Sequence, residues 1–259
     1  MPTLHVVMPI YDEGPTLVEI VRRVLEAPLP AGWAVDLTMV DDGSRPTAAA
    51  LAAECAQSHG QRVRLIVHPA NRGKGAALMT GFDAVLARAS DADAALVQDA
   101  DLEYDPADYR ALVATLGDPA VGAAFGNRWA GTEPRAGYRR LHAMANGLLT
   151  AASNRATGLG VHDMECCYKL LRVPILRAAR PWLSEERFGI EPQIAAALAR
   201  ARVRVAEVAV QYAPRTFAEG KKIRWTDGVR ALWVIARERV RRTPPAAAAA
   251  TAANPGGTP

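Results

Sequence analysis

The sequence predicts an α/β domain with a mostly parallel central sheet and helices on both faces. Three observations predict it. Short apolar, β-branched runs alternate with stretches of helical period from Leu4 to Phe125. Polar, carboxylate-rich clusters follow directly on four of those runs, as they do where ligands lie beyond the carboxyl ends of parallel strands. Half of the 259 residues are hydrophobic, enough for one large core.

Taken in order, Leu4 to Ile10 is a Val/Ile-rich strand run. Thr16 to Leu25 carries apolar residues at 17, 20, 21, 24 and 25, the spacing of one helix face. Ala34 to Val40 reads as a second strand, and Pro46 stands where a helix begins before Ala48 to Ala56. Val63 to Val67 is a third strand. Asn71-Arg72-Gly73-Lys74-Gly75 interrupts the chain, and Ala76 to Leu86 is helical. Ala94 to Val97 is a fourth strand, Tyr109 to Leu116 a helix and Val121 to Phe125 a fifth strand. Such alternation implies right-handed crossovers.

The second half is less regular. Tyr138 to Ala156 is expected to be a helix with Leu141, Met144, Ala145, Leu148, Leu149 and Ala152 on one face. Met164 to Leu171 and Val203 to Tyr212 read as strands, and Gln193 to Arg200 as a helix. Asp227 to Val240 is a basic amphipathic helix, with Val229, Leu232, Trp233, Ala236 and Val240 at helical spacing. That stripe is expected to pack on the body of the protein, since most amphipathic helices face their own core. The alternative is an interfacial helix lying on anionic lipid. These boundaries divide the chain into a main domain over residues 1–225 (a regular half about 1–130, a less regular remainder about 131–225), a basic helix over 226–243, and an Ala/Pro/Gly/Thr tail over 244–259 expected to be disordered.

Net charge is +4, but residues 213–242 hold nine Lys and Arg against three acids. A basic end on a near-neutral body suggests a phosphate, a nucleic acid or a membrane surface as partner. No recognised nucleic-acid motif accompanies it. No stretch approaches roughly 18 consecutive apolar residues, so no spanning helix is expected. The N-terminus enters a strand without a charged segment and apolar run, so no signal peptide is expected. Cys55, Cys166 and Cys167 lack zinc or redox spacing, which points to a reduced, cytoplasmic protein.

The strand-end clusters are Tyr11-Asp12-Glu13, Asp41-Asp42-Gly43-Ser44, Asp99-Ala100-Asp101 with Glu103, and Gly126-Asn127-Arg128. Extended backbone sends alternate side chains to one side, so Asp99, Asp101 and Glu103 are expected to converge. Clustered oxygen ligands suit Mg²⁺ or Mn²⁺ bound through one or two carboxylates and substrate phosphates.

Val7-Met8-Pro9-Ile10-Tyr11-Asp12-Glu13, Val40-Asp41-Asp42-Gly43-Ser44, Asn71-Arg72-Gly73-Lys74-Gly75-Ala76 and Asp99-Ala100-Asp101, in that order and spacing, resemble the family-2 inverting glycosyltransferases. The chain looks most like the dolichyl- or polyprenyl-phosphate mannosyl and glucosyl synthases. Gly126-Asn127-Arg128 stands where those have Gly-x-Arg, and Ala213-Pro214-Arg215 with Glu219-Gly220-Lys221 resembles their Pro-Arg…Gly-Glu-Ser-Lys segment. Tyr11-Asp12-Glu13 replaces the usual Tyr-Asn-Glu, Glu103 the usual Gln, and Asp163-Met164-Glu165-Cys166-Cys167-Tyr168-Lys169 a Ser-Gly-Phe type sequence.

The resemblance implies a GT-A type, Rossmann-like fold and transfer of a hexose from a nucleoside diphosphate sugar, with inversion. The expected acceptor is a polyprenyl phosphate, with a glycan or small molecule as the alternative. It implies a nucleoside pocket of Pro9, Tyr11, Glu13, Val40 and Asp42, with Ala100 alongside. Asp101 and Glu103, with Asp99, hold the metal. Lys74, Arg215 and Lys221 face the diphosphate as fixed cations. A lipid phosphate is already anionic, so it needs cations rather than a base, and Arg128, Arg139 and Arg140 are the candidates. Homo-oligomer formation and peripheral contact with the inner face of a membrane accompany this reading. A nucleotidylyltransferase is disfavoured because no Gly-rich phosphate loop follows strand one, and a dinucleotide-binding oxidoreductase because Gly-x-Gly-x-x-Gly is missing there.

Overall fold

The structure, a computed structural model, describes residues 1–130, 138–214 and 225–244. Its centre is a seven-stranded sheet in the order β3-β2-β1-β4-β6-β5-β7. The strands are β1 (Thr3–Ile10), β2 (Ala34–Asp41), β3 (Val63–Val67), β4 (Ala94–Val97), β5 (Val121–Asn127), β6 (Lys169–Arg172) and β7 (Arg204–Ala209). All neighbours pair in parallel except around β6, which is antiparallel to β4 and β5. The expected mostly parallel α/β architecture is present.

The helices are α1 (Thr16–Leu25), α2 (Pro46–His59), α3 (Lys74–Leu86), α4 (Tyr109–Ala114), α5 (Tyr138–Thr157), α6 (Val173–Ala179), α7 (Ile190–Arg200) and α8 (Trp225–Val240). The apolar positions read in α1 are the ones it buries: Leu17, Ile20, Val21, Val24 and Leu25. Strands β1 and β4 are buried on nearly every residue, as expected of strands covered on both faces. Helix α3 lies close on β1 and β2. A Cβ on Gly81 would stand 2.3 Å from Val7 Cγ1 and 3.4 Å from Val40 Cγ2. Val40 is therefore core beneath α3, fully buried, and not an accessible wall of a nucleoside pocket.

The second half corrects several expectations. Residues 164–168 are irregular and, Glu165 apart, buried, and β6 begins only at Lys169. In α5 the buried residues are polar, namely Asn146, Thr150 and Ser153, while Met144, Ala145 and Leu148 are exposed. The reason is Asp163 and Met164, whose polar atoms Asn146 and Thr150 meet.

Helix α8 packs against α5 and α7 through Ala231, Val234, Ile235 and Glu238. The stripe expected to face inward is outside: Val229, Leu232, Trp233 and Val240 are about half exposed or more. Both stripes have helical spacing. The buried one contains a charge, Glu238, which hides it from an apolar-period reading. Arg200, Arg237 and Arg241 neutralise that carboxylate at 3.0, 2.9 and 2.8 Å, so its burial is tolerated.

Among the described residues no helix is long and apolar enough to cross a membrane. The tail beyond Pro244 lies outside the described residues.

Candidate active site

The carboxyl ends of β1, β2, β4 and β5 bring most of the expected residues to one edge of the sheet. Tyr11, the most exposed of them, follows β1, and Glu13 is buried behind it. Asp12 takes a positive φ of 51° and accepts from Arg45 N at 2.8 Å and Arg45 Nε at 3.0 Å. It ties the β1 loop to the start of α2.

The Asp41-Asp42 pair divides its labour. Asp42 is buried and its carboxylate is occupied. It accepts from Gly73 N at 2.6 Å and Arg72 N at 3.0 Å, and meets His68 Nδ1 at 2.7 Å. Its role is to shape the Asn71–Gly73 turn. Asp41 is buried too, but only Oδ1 is engaged, accepting from Ser44 N at 3.1 Å. Its Oδ2 has no hydrogen-bond partner among the described residues. An uncompensated buried carboxylate oxygen costs free energy unless a ligand meets it. Sequence reading singled out Asp42; the structure draws attention to Asp41.

That same turn aims Lys74, the first residue of α3, at the end of β4. Its Nζ lies 2.9 Å from Asp99 Oδ1 and 2.9 Å from Glu191 Oε1. Burial opposes the charge, but the two carboxylates outweigh it and hold Lys74 protonated well above its ordinary range. Lys74 is thus a buried bridge between the nucleotide half and α7, not a solvated helix-start lysine.

The expected convergence of three carboxylates is not found. Strand β4 ends at Val97, and residues 99–103 form a turn with Leu102 at φ 59°. A left-handed residue breaks the two-residue alternation on which the expectation rested. Asp99 is committed to Lys74, Asp101 Oδ1 accepts from Glu103 N at 3.1 Å, and Glu103 Oε2 accepts from Tyr212 OH at 2.9 Å. Among the described residues no three acidic, His or Cys side chains form a group able to hold a metal. What remains fits the looser mode, in which one or two carboxylates and a donor's phosphates hold the ion. Asp101, half-buried at the rim, suits that role. Ala100, behind it, is buried.

Gln98 stiffens this turn from below. Its Oε1 accepts from Tyr109 OH at 2.6 Å and Tyr168 OH at 2.9 Å, and its Nε2 donates to Asp99 O at 2.9 Å.

On the other side Arg128, after β5, is clamped by Asp163. Nε donates to Oδ2 at 2.8 Å and Nη2 to Oδ1 at 2.7 Å, and Nη2 also reaches Asn146 Oδ1 at 3.1 Å. The guanidinium stacks on Tyr212 with 5.2 Å to the ring centre. Burial works against the Asp163 charge, yet Arg128 holds its carboxyl below the usual range. Arg128 is therefore oriented and already paired. Arg139 and Arg140 lie in the first turn of α5, and their side chains are outside the described residues. Arg215 and Lys221 are outside them altogether.

Between Lys74 and Arg128 lies a pair of carboxylates whose pairing the sequence did not announce. Glu191 Oε2 and Glu165 Oε1 are buried and without hydrogen-bond partners among the described residues. Burial, with the Glu191 charge beside it, pushes Glu165 up to about 8. The sequence signals were that residues 163–169 replace a Ser-Gly-Phe type sequence and that Glu191 stands before Pro192, open to facing the cleft or to capping a helix.

The glycosyl transferase family 2 model matches residues 5–179. The chain belongs to glycosyl transferase family 2. A Pseudomonas aeruginosa (strain LESB58) undecaprenyl-phosphate 4-deoxy-4-formamido-L-arabinose transferase is 32% identical over 84% of this chain and 60% of its own length. An Edwardsiella ictaluri protein of the same name is 30% identical over 84% of this chain and 62% of its own. The chain thus spans about three fifths of these relatives. Among solved structures, Mycobacterium tuberculosis glucosyl-3-phosphoglycerate synthase with Mn²⁺, UDP and glucosyl-3-phosphoglycerate superposes with TM-score 0.64 at 18% identity, covering 92% of this chain and 80% of that one. The same synthase with Mg²⁺ and UDP gives 0.64 at 17%, covering 92% and 79%. The chain shares the α/β fold of that synthase.

Proposed function

We propose that this glycosyltransferase moves a hexose from a nucleoside diphosphate sugar to a polyprenyl phosphate, with inversion and with Mg²⁺ or Mn²⁺. Asp41, with Pro9, Tyr11 and Glu13, faces the nucleoside, and Asp42 holds the turn that completes the pocket. Asp101, supported by Asp99 and Glu103, takes the metal, which neutralises charge on the leaving diphosphate when bound. Lys74 supplies fixed positive charge there, and Arg215 and Lys221, by the family resemblance, serve the same diphosphate. Arg128, Arg139 and Arg140 receive the acceptor phosphate, Asp163 holding the Arg128 fork in register. A lipid phosphate attacks as an anion, so no general base is needed.

The observation that carries the lipid acceptor is the outward stripe of α8. Val229, Leu232, Trp233 and Val240 are exposed beside the exposed Arg239, a pattern suited to an anionic bilayer surface. The curated relatives, whose names specify undecaprenyl phosphate, support the same acceptor class. The test is nucleoside diphosphate release from a panel of UDP- and GDP-sugars with Mn²⁺, offered undecaprenyl phosphate or 3-phosphoglycerate. Release that depends on the lipid supports the proposal; release that depends on the soluble phosphate alone, or on neither, refutes it.

A further inference from the structure

The segment 184–189 runs between α8 and the turn that carries Lys74. On one side it presses on the turn. A Cβ on Gly75 would stand 1.9 Å from Glu185 O, and one on Gly73 2.4 Å from Glu186 O. Gly73 also has φ +109°, which L side chains rarely adopt. Ala76 N donates to Glu186 O at 2.9 Å, so the strap caps the start of α3. On the other side it is held by α8. Glu185 is almost fully buried, and Arg230 Nε donates to its Oε1 at 2.6 Å while Arg237 Nη1 lies 3.4 Å from Oε2. A second tie runs in parallel. Gln193 Oε1 accepts from Ser184 N and Glu185 N at 2.8 and 2.7 Å, and its Nε2 donates to Glu238 of α8 at 2.9 Å. Gly189 permits the approach, since a Cβ there would meet Val234 at 2.7 Å and Glu185 Cγ at 2.9 Å.

We infer that Glu185 is a positioning residue for the donor site: clamped by Arg230 and Arg237, it fixes the 184–189 strap against the Gly73–Gly75 turn and so holds Lys74 between Asp99 and Glu191. The inference rests on reading Lys74 and Asp99 as donor-side groups. It makes α8, whose outer stripe faces away from the body, part of the machinery on its inner side. Glu185 touches neither donor nor acceptor in this account; it acts through backbone contacts on the turn. A carboxylate this deep needs its cations, and removing them leaves it free to swing or to draw in water. The turn it supports then loses its backstop.

The test compares Arg230→Ala, Arg237→Ala and Glu185→Ala with the conservative Arg230→Lys. Arg230 is partly exposed, so its truncation leaves a foldable protein even where Glu185→Ala fails to fold. Hydrogen exchange of full-length protein is read on peptides covering 73–77 and 184–189, with β2 and β3 as internal controls. Steady-state kinetics follow release of nucleoside diphosphate. We expect faster exchange at 73–77 with the controls unchanged, and kcat lower by about tenfold to a hundredfold, the usual penalty for a misplacement near 1 Å. The KM for the phosphate acceptor stays at the wild-type value, and Arg230→Lys recovers most of the rate. A lower melting temperature with unaltered kcat and unaltered exchange at 73–77 would show Glu185 to be merely structural and overturn the inference. Failure of the wild type to use any nucleotide sugar would sink the transferase proposal instead, while the exchange readout would still decide this one.

Discussion

Replacing Lys74 by alanine tests whether it is a buried bridge or a surface charge. Its Nζ stands 2.9 Å from both Asp99 and Glu191, and its side chain is 14% exposed. At an effective dielectric near 20, each pair attracts by about 6 kcal/mol before desolvation is counted. Desolvation offsets most of that, and removing one member of a buried pair costs a net of about 3–5 kcal/mol. For a chain of this size each kcal/mol shifts the melting temperature by roughly 2–4 °C, so a fall of about 10 °C is expected. The assay is thermal unfolding of wild type and Lys74→Ala at pH 7. A fall of that size supports the bridge. A gap under about 1 kcal/mol, typical of an exposed ion pair, would refute it.

Three further expectations follow from the same geometry. Asp101→Ala should lower turnover by at least about a hundredfold with little change in melting temperature, and exhaustive chelation should do the same to wild type; full activity after either treatment removes the metal assignment. Glu165 is at about 8 in the fold against an ordinary 4.5, so its share of stability is present below about 4.5 and is lost as pH rises through about 8. Glu165→Gln should flatten the stability profile over that window, and parallel profiles would mean that Glu165 is not buried as an acid. Trp233→Ser with Leu232→Ser should weaken sedimentation with anionic vesicles while leaving the melting temperature near wild type, because both side chains point outward; unchanged binding would mean that the outer stripe of α8 does not meet lipid.

The sheet was legible because β4 is a continuous apolar run and β1 and β2 are rich in Val, Leu, Ile and Met, and such runs report burial directly. The strand-end rule then located the site edge, and the spacing of its motifs pointed to the family. What periodicity could not report was side chains buried for polar reasons. Glu238 is buried by three arginines, and Asn146 and Thr150 are buried to satisfy the 163–164 segment. In α8 the apolar stripe was consequently expected on the wrong side, and in α5 the buried polar residues went unread. Asp42 was chosen over Asp41 because a string does not show which carboxylate the next turn consumes. The alternation of Asp99, Asp101 and Glu103 misled because Leu102 leaves the extended region, a choice of φ that no residue type at that position announces. The Lys74–Glu191 bridge joins positions far apart in sequence and needs the fold to become visible.

The central claim is transfer of a sugar to a lipid phosphate. Its most direct measurement uses nucleotide sugars carrying a radiolabel in the hexose, incubated with the protein, Mn²⁺ and undecaprenyl phosphate, and then partitioned between water and organic solvent. Label from at least one donor should move into the organic phase, only with metal and lipid present, and should stay in water with Asp101→Ala. Label that remains aqueous for every donor, or passes instead to a soluble acceptor, would contradict the claim.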